Sequence, residues 1–160
     1  MELKIKRLHP NAVVPSYATE GAACFDLTAA TVCGRTEFGE HVWNGEPVIC
    51  GTGLAIEIPA GHVMLVFSRS GHGFKNDVRL ANCTGVIDSD YRGELMVKLT
   101  SDMGELREQL EVPNVAPLFV RPGDRVAQAM ILPVERVQFA VVDELGGTAR
   151  GQGGFGSTGA

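Results

Sequence analysis

The chain has 160 residues, of which 44% are hydrophobic and 21% are charged. These proportions are typical of a single folded domain and exclude a disordered chain. The 14 Lys and Arg residues against 19 Asp and Glu residues leave a net charge of −5, which argues against general nucleic-acid binding because such proteins normally present a basic face.

Short runs of alternating or β-branched residues predict an all-β chain, and the 20 glycines and 8 prolines supply turns between them. In one run, Leu95, Val97 and Leu99 share a face, as expected for a strand with one buried side. The even spacing favours a barrel or a sandwich over alternating strand–helix units. In chain order, the predicted strands cover residues 3–8, 54–58, 63–67, 94–100, 126–134 and 136–142.

Two longer segments interrupt this pattern. Residues 31–50 contain three glycines and Pro47, and we expect a long hairpin or loop there. Residues 101–117 are largely charged at their start, and residues 105–111 are the best helix candidate because Leu106 and Leu110 are four positions apart. Surface segments of this kind either bind a protein partner or are passive.

The end of the chain differs in composition from the rest. Residues 146–160 contain seven glycines and one large apolar residue, Phe155. Such a segment cannot bury enough surface to order itself, so it is either a frayed end or a flap that folds over a ligand. We therefore divide the chain into a barrel domain, residues 1–145, and a mobile tail, residues 146–160.

The sequence does not favour a cysteine metal site, a membrane span or export. The four cysteines, Cys24, Cys33, Cys50 and Cys83, form no CxxC pair, so free thiols are expected. No apolar run approaches the ~18 residues of a membrane span. The first ten residues lack the apolar centre of a signal peptide, so a cytoplasmic protein is expected.

Two clusters of residues suit anion binding or acid–base chemistry. Residues 68–73 follow an apolar strand and combine Arg69 with two hydroxyls, which suits an anion, although an ordinary surface turn is the alternative. Residues 85–94 hold Asp88 and Asp90, which would share a face in a strand. Two carboxylates so close repel each other unless one of them contacts a cation or an arginine. This favours either a base with an associated metal or one catalytic and one structural carboxylate. The alternative is a solvated turn.

Two further clusters suit a polar or phosphorylated ligand. Residues 122–128 begin with the turn sequence Pro-Gly-Asp and leave Gln128 in the following strand, where it could face a polar ligand. Residues 150–159 combine glycines, which allow close approach to a phosphate, with Arg150 as a two-pronged donor and Phe155 as a stacking ring.

Together these clusters resemble the five motifs of the trimeric dUTP diphosphatase (dUTPase) family, in the family's order and over nearly the whole chain. The resemblance implies a jelly-roll-type β-barrel with at most one or two short helices, and a homotrimer whose sites are shared between subunits. It also implies that dUTP and water give dUMP and pyrophosphate with Mg²⁺ as cofactor, which keeps uracil out of DNA and supplies dUMP for thymidylate synthesis. The matching segments are 23–27, 69–71, 85–94 preceded by Asn82, 122–128 and 150–159.

The resemblance also implies roles for individual residues. Asp88 matches the general base that deprotonates the attacking water, and Asp26 matches an aspartate that contacts magnesium through water. Mg²⁺ dehydrates reluctantly and is often held by few carboxylates plus substrate phosphates, so one aspartate is enough. The residues expected at the phosphates are Arg69, Ser70, Gly71, Gln128, Arg150, Gly156, Ser157 and Thr158.

Selection of the nucleoside is expected to work by exclusion. Tyr91 would lie under the deoxyribose and leave no space for a 2′-hydroxyl, and Phe155 would lie over the uracil. Cytosine has an amino donor where uracil has a carbonyl acceptor, so a donor in the pocket would face another donor. A buried polar group left without a partner costs about 1–3 kcal/mol. Met96 either lines this pocket or packs in the core. The uracil edge is expected to meet Asn82, Gly85, Val86 and Ile87.

The sequence departs from the family pattern at Cys24, where the family has Gly, at Ser68, where it has Pro, and at His72, where it has an apolar residue. His72 either adds a titrating donor near the phosphates or is a partly exposed surface histidine. Asp90 and Arg92 are expected to form a structural ion pair, either within one chain or across a subunit boundary. Two other functions stay open: a dCTP deaminase of the same fold, and a regulatory protein that binds partners through residues 31–50 and 101–117.

Overall fold

The computed structural model describes residues 1–33, 41–42, 47–101 and 119–154. In this part of the chain the protein is β-structure with one short helix, as the sequence predicted. The elements, in chain order, are β1 (Lys4–Arg7), β2 (Phe25–Thr28), β3 (Thr31–Cys33), β4 (His41–Val42), β5 (Val48–Gly51), β6 (Leu54–Glu57), β7 (His62–Phe67), α1 (Ser70–Asn76), β8 (Val78–Leu80), β9 (Thr84–Ile87), β10 (Met96–Ser101), β11 (Phe119–Val120) and β12 (Arg125–Pro133).

Two four-stranded antiparallel sheets enclose the core. One has the strand order β2-β12-β7-β9 and the other β3-β5-β10-β8. Alternate residues of each strand point inward, so both sheets contribute to one apolar cluster. The face predicted for residues 94–100 is confirmed, since Leu95, Val97 and Leu99 are buried while Met96 and Lys98 are exposed.

A β-bulge in β12 determines which residues of this strand lie on the outer face of the first sheet. The register with β2 shifts between Arg125 and Ala127, so that Val126 and Ala127 are both buried although they are consecutive. Beyond the bulge, Gln128 pairs with Asp26 of β2 on one side and with Phe67 of β7 on the other. The bulge therefore brings polar residues of two strands to the same outward face.

The strand predicted for residues 136–142 is wrong. The last strand ends at Pro133, and residues 134–154 contain no helix or strand. Val137, Phe139 and Val141 are 68%, 94% and 102% exposed. Alternation alone did not make a strand here, because no described strand lies beside this segment to pair with its backbone.

Two local predictions also need correction. Residues 68–73 enter helix α1 instead of forming a simple turn: the Arg69 carbonyl accepts the N–H groups of His72 and Gly73, and the helix ends at Asp77, whose φ is 57°. Asp88 and Asp90 do not share a strand face, because β9 ends at Ile87 and both aspartates lie in the following turn.

The two longer segments are described only in part. Residues 31–50 form a hairpin at their base, where β3 pairs with β5, and β4 pairs with β11 from the far side of the second segment. The helix candidate at residues 105–111 lies outside the described residues. No helix of the described residues is long and apolar enough to cross a membrane.

The four cysteines are free, as expected. Cys50 lies in the core, and burial raises the pKa of its thiol to about 12. This thiol is therefore neutral and serves in packing.

Candidate active site

The strongest charged arrangement on the outer face joins one carboxylate to two guanidinium groups. Asp26 on β2 accepts a hydrogen bond from Arg69 Nε at 3.1 Å on Oδ1 and from Arg125 Nη1 at 2.9 Å on Oδ2. The Asp26 side chain is only 21% exposed, so these ion pairs are partly shielded from water. Arg69 also donates to the Arg125 carbonyl at 3.2 Å. We call Asp26, Arg69 and Arg125 the aspartate–arginine cluster.

An open cleft of about 570 Å³ lies beside this cluster. Gln128 Nε2 donates to the Ser68 carbonyl at 3.0 Å, and the Leu80 N–H donates to Ser68 Oγ at 2.9 Å, so the chain that leads into α1 is fixed from both sides. The Arg69 guanidinium and the Ser70 hydroxyl make the cleft suitable for an anion. Its lining comprises Ser68, Arg69, Ser70, Gly73, Phe74, Val78, Arg79 and Gln128.

His72 is more deeply placed than a simple surface histidine. Its Nε2 lies 3.5 Å from Arg69 Nη1, and its Nδ1 is buried with no hydrogen-bond partner among the described residues. Burial, and the charge of Arg69 beside it, lower the pKa of His72. A neutral imidazole therefore faces the guanidinium, with Nε2 as acceptor.

A second group of predicted residues lies at the turn after β9. The Tyr91 N–H donates to the Asp88 carbonyl at 3.2 Å, which closes the turn. Arg92 Nη1 donates to the Ser89 and Tyr91 carbonyls at 2.7 and 2.9 Å. Within the described ranges Arg92 holds the backbone of the turn in this way and makes no ion pair with Asp90 of the same chain, so the predicted pair stays a prediction for two neighbouring subunits.

Two adjoining pockets open beside this turn. One, of about 240 Å³, is lined by Val86, Ile87, Asp88, Tyr91, Glu94, Leu95 and Met96. The other, of about 310 Å³, shares Ile87 and Met96 with the first and adds Val66, Leu80, Ala81, Asn82, Gly85, Val97 and Lys98. We call the first of them the tyrosine pocket.

Met96 and Gly85 occupy positions that suit this surface. Met96 is 61% exposed, so it does not pack in the core as one of our alternatives held. A Cβ on Gly85 would lie 3.1 Å from Val66 Cβ and 3.9 Å from Asn82 Nδ2, so only a residue without a side chain leaves this part of the pocket open.

The structure does not bring all predicted site residues together. Arg69 and Gln128 line the cleft, whereas Asn82, Asp88 and Tyr91 line the two pockets. Arg150 is exposed, and its Nε donates to the Gly153 carbonyl at 2.8 Å. Phe155, Gly156, Ser157 and Thr158 lie outside the described residues.

Sequence reasoning missed Arg125 as a member of the charged cluster. It stands inside the segment 122–128 that we had singled out, next to the Pro-Gly-Asp turn. Its partner is 99 positions earlier in the chain, however, and only the pairing of β12 with β2 brings the two side chains together.

The aspartate–arginine cluster also bears on metal binding. No group of three or more His, Cys, Asp or Glu side chains in the described part of the chain could hold a metal ion. A carboxylate has about four acceptor sites, and the two arginines use one on each oxygen of Asp26. Asp26 therefore fits contact with a hydrated Mg²⁺ through water, whereas direct coordination would compete with two cations.

A cationic cleft and a shallow, partly apolar pocket on one all-β scaffold suit an enzyme that acts on a phosphorylated nucleoside. The family model described as dUTPase matches residues 10–159. The chain therefore belongs to the dUTPase family, which confirms the resemblance seen in its motifs and the jelly-roll type of its fold.

Individual relatives agree with this assignment. A deoxyuridine 5′-triphosphate nucleotidohydrolase of Nautilia profundicola is 40% identical over 159 residues, covering 99% of each chain. One of Dinoroseobacter shibae is 45% identical over 146 residues, covering 91% of this chain and 87% of the relative. The Staphylococcus bacteriophage 80alpha dUTPase, solved with dUPNHPP, is 26% identical with a TM-score of 0.77, and the match covers 99% of both chains.

The lowered pKa of His72 predicts an acid-dependent loss of stability. As the pH falls below about 6.5, the unfolded chain takes up a proton on this residue before the folded chain does, so the free energy of unfolding decreases. Replacing the imidazole in His72→Leu removes this contribution. Urea unfolding at pH 7.5 and pH 5.0 should therefore show a smaller loss for His72→Leu than for the wild type.

His62→Leu is the matched control, because His62 is also half-buried but lies on the opposite end of β7. It measures how far replacing any histidine on this part of the chain by leucine alters the urea result. Identical losses for the wild type and His72→Leu would contradict the prediction.

Proposed function

We propose that this chain is a dUTP diphosphatase that converts dUTP and water to dUMP and pyrophosphate, keeping uracil out of DNA and supplying dUMP for thymidylate synthesis. Membership of the dUTPase family carries this proposal. The chemistry of the cleft and of the two pockets supports it. The relatives named above are nucleotidohydrolases, which favours hydrolysis over deamination of dCTP and over a purely regulatory role.

The nucleoside is assigned to the two adjoining pockets. Asn82, Gly85 and Ile87 line one pocket and Val86 lines the other. The Asn82 side chain and the backbone of the other three would offer donors and acceptors to the edge of uracil. Tyr91 presents a ring to the deoxyribose from the neighbouring tyrosine pocket, with Met96 between the two. A 2′-hydroxyl would have to enter space that the tyrosine ring occupies.

The phosphates are assigned to the cleft beside the aspartate–arginine cluster. Arg69, Ser70 and Gln128 line the cleft. With the backbone of Gly71, which follows Ser70, they would supply charged and neutral donors for phosphate oxygens. Arg150, Gly156, Ser157 and Thr158 of the tail are proposed to add donors, with Phe155 stacking on the uracil. Mg²⁺ bound to the phosphates would neutralise their charge, and Asp26 would hold it through water.

Asp88 is proposed as the general base for the water that attacks the α-phosphorus. Its side chain is exposed at the tyrosine pocket, where a water can reach it. A positioned base contributes about 10²–10⁴-fold in rate, which corresponds to roughly 3–5 kcal/mol of the barrier. Positioning of the phosphates and charge neutralisation supply the rest.

The separation of these groups supports a site that is shared between subunits of a homotrimer. Ile87 pairs with Met64 near the start of β7, whereas Arg69 follows the end of β7, so the two ends lie about 15–20 Å apart along the strands. Arg69 also reaches toward Asp26, which is three strands from β9 in the sheet, about 14 Å across. A base must lie within about 3 Å of the water that it activates, so Asp88 and Arg69 of one chain cannot serve one substrate.

The exposed segment 134–145 supports the same assembly. This segment exposes four large apolar side chains: Val137, Phe139, Val141 and Leu145. Exposed apolar patches of this kind mark surfaces that another molecule covers. An extended segment of this kind can bind a sheet edge of another subunit through its backbone.

Substitution of the proposed base should stop turnover without preventing binding. Asp88→Asn keeps the size of the side chain but cannot accept the proton, so kcat should fall about 10²–10⁴-fold while KM for dUTP changes little. Pyrophosphate release measures kcat, and calorimetry with dUTP measures binding. Asp90→Asn, two positions away in the same turn, should retain most of the activity; wild-type kcat in Asp88→Asn would exclude the assignment.

Substitution of the tyrosine should relax the choice of sugar. Tyr91→Ala removes the ring that excludes the 2′-hydroxyl, so the ratio of kcat/KM for dUTP over UTP should fall on the order of tenfold or more. Parallel assays with dUTP, UTP, dCTP and dTTP measure the ratio. An equal loss for dUTP and UTP would refute this role.

Mixed assemblies test whether sites are shared. Asp88→Asn and Arg69→Gln should each be inactive alone, but refolding the two together should restore activity at sites that combine an intact Asp88 from one subunit with an intact Arg69 from another. Each variant refolded alone is the control. No recovery in mixed trimers, shown by differently tagged chains that purify together, would place both residues in one subunit's site.

A further inference from the structure

The tyrosine pocket contains a close contact that the proposed roles do not use. Gly93 lies two positions after Tyr91, and a Cβ on Gly93 would overlap the tyrosine ring. It would meet Tyr91 Oη, and it would lie 2.6 Å from Cζ and 3.0 Å from Cε2. Carbon atoms reach attractive contact only at about 3.5 Å, so this ring position needs a residue without a side chain at position 93.

The backbone itself does not require glycine here. Among the described residues, the glycines with φ in the left-handed region are Gly53, Gly61, Gly123 and Gly151. Gly93 is outside that region, so an alanine can adopt its backbone conformation. The ring of Tyr91 is therefore the structural reason for the absent side chain.

The other contacts of Tyr91 fix the ring against residue 93. Tyr91 Oη donates to the Glu94 carbonyl at 2.9 Å. That carbonyl is held in place, because Glu94 Oε1 accepts the Gly53 N–H at 2.7 Å and the Leu95 N–H donates to the Leu54 carbonyl at 2.8 Å. The Tyr91 ring thus lies between the Glu94 carbonyl, which accepts its hydrogen bond, and the backbone of Gly93, which carries no Cβ.

We infer that Gly93 is a positioning residue for sugar selection, which acts through Tyr91 and does not touch the substrate. This inference rests on the proposed role of Tyr91 in excluding the 2′-hydroxyl. An alanine at position 93 displaces the ring by about 1 Å before van der Waals contact is restored, and it breaks the hydrogen bond to the Glu94 carbonyl. The ring then no longer occupies the space that rejects a ribonucleotide.

A double-mutant cycle tests this coupling. Gly93→Ala, Tyr91→Ala and the double variant are assayed for pyrophosphate release from dUTP and UTP. In Gly93→Ala, the ratio of kcat/KM for dUTP over UTP should fall on the order of tenfold, since displacements of about 1 Å have effects of this size or larger. In the Tyr91→Ala background, Gly93→Ala should cause no further change, because the ring through which it acts is gone.

Gly21→Ala is the matched control, since a Cβ there meets nothing within 4 Å. It should keep the wild-type ratio. Independent, additive effects of Gly93→Ala and Tyr91→Ala would overturn the inference, as would an unchanged ratio in Gly93→Ala. An inactive wild type would overturn the proposed function and this inference with it, whereas a wild type that prefers dUTP and shows additive losses overturns the inference alone.

Thermal unfolding of the four proteins covers the case in which Gly93→Ala does not fold. If the double variant with Tyr91→Ala folds and the single variant does not, the ring is the group that clashes, and the inference is supported. If the double variant also fails to fold, the backbone needs glycine for another reason, and the inference is wrong.

Discussion

Strand β7 pairs with β9 in antiparallel register, from Met64 with Ile87 to Phe67 with Thr84. Asp88 follows the last residue of β9 at one end of this strand pair, and Arg69 lies just beyond the last residue of β7 at the other end. A one-residue slip in an antiparallel ladder would turn buried side chains outward. The core therefore fixes the distance between Asp88 and the cleft beside Arg69. In the proposed shared site, one end of this strand pair therefore lies beside the opposite end of the same pair in another subunit.

The aspartate–arginine cluster holds Arg69, which lines the cleft at the other end of the pair. A carboxylate that is four-fifths shielded from water is costly unless it is paired, and Asp26 has two charged donors. These come from the start of α1 and from the bulge in β12, so the ion pairs connect three separate parts of the chain. Arg69 is thereby held in position without a ligand, which would reduce the ordering required if it binds phosphate as proposed.

A strand could be predicted from the sequence where the alternation of apolar residues matches the face that the fold buries. The candidate site could be predicted only in part. Alternation over Leu95, Val97 and Leu99 gave the correct buried face because β10 has a sheet on one side and water on the other. The same kind of alternation over residues 136–142 gave a wrong strand, since pairing partners are not encoded in the segment itself. The contact of Arg125 with Asp26 depends on a bulge and on the order of strands, neither of which a single sequence reveals.

Asp88, the proposed base, and Tyr91, the proposed sugar contact, belong to one turn. The Tyr91 N–H donates to the Asp88 carbonyl, and Arg92 donates to the Ser89 and Tyr91 carbonyls, so hydrogen bonds link the backbone of Tyr91 to that of Asp88. A ribonucleotide that pushes against the Tyr91 ring also pushes against the segment that carries the Asp88 carboxylate. Discrimination against UTP is therefore expected in kcat as well as in KM, because a poorly seated sugar displaces the base from its water.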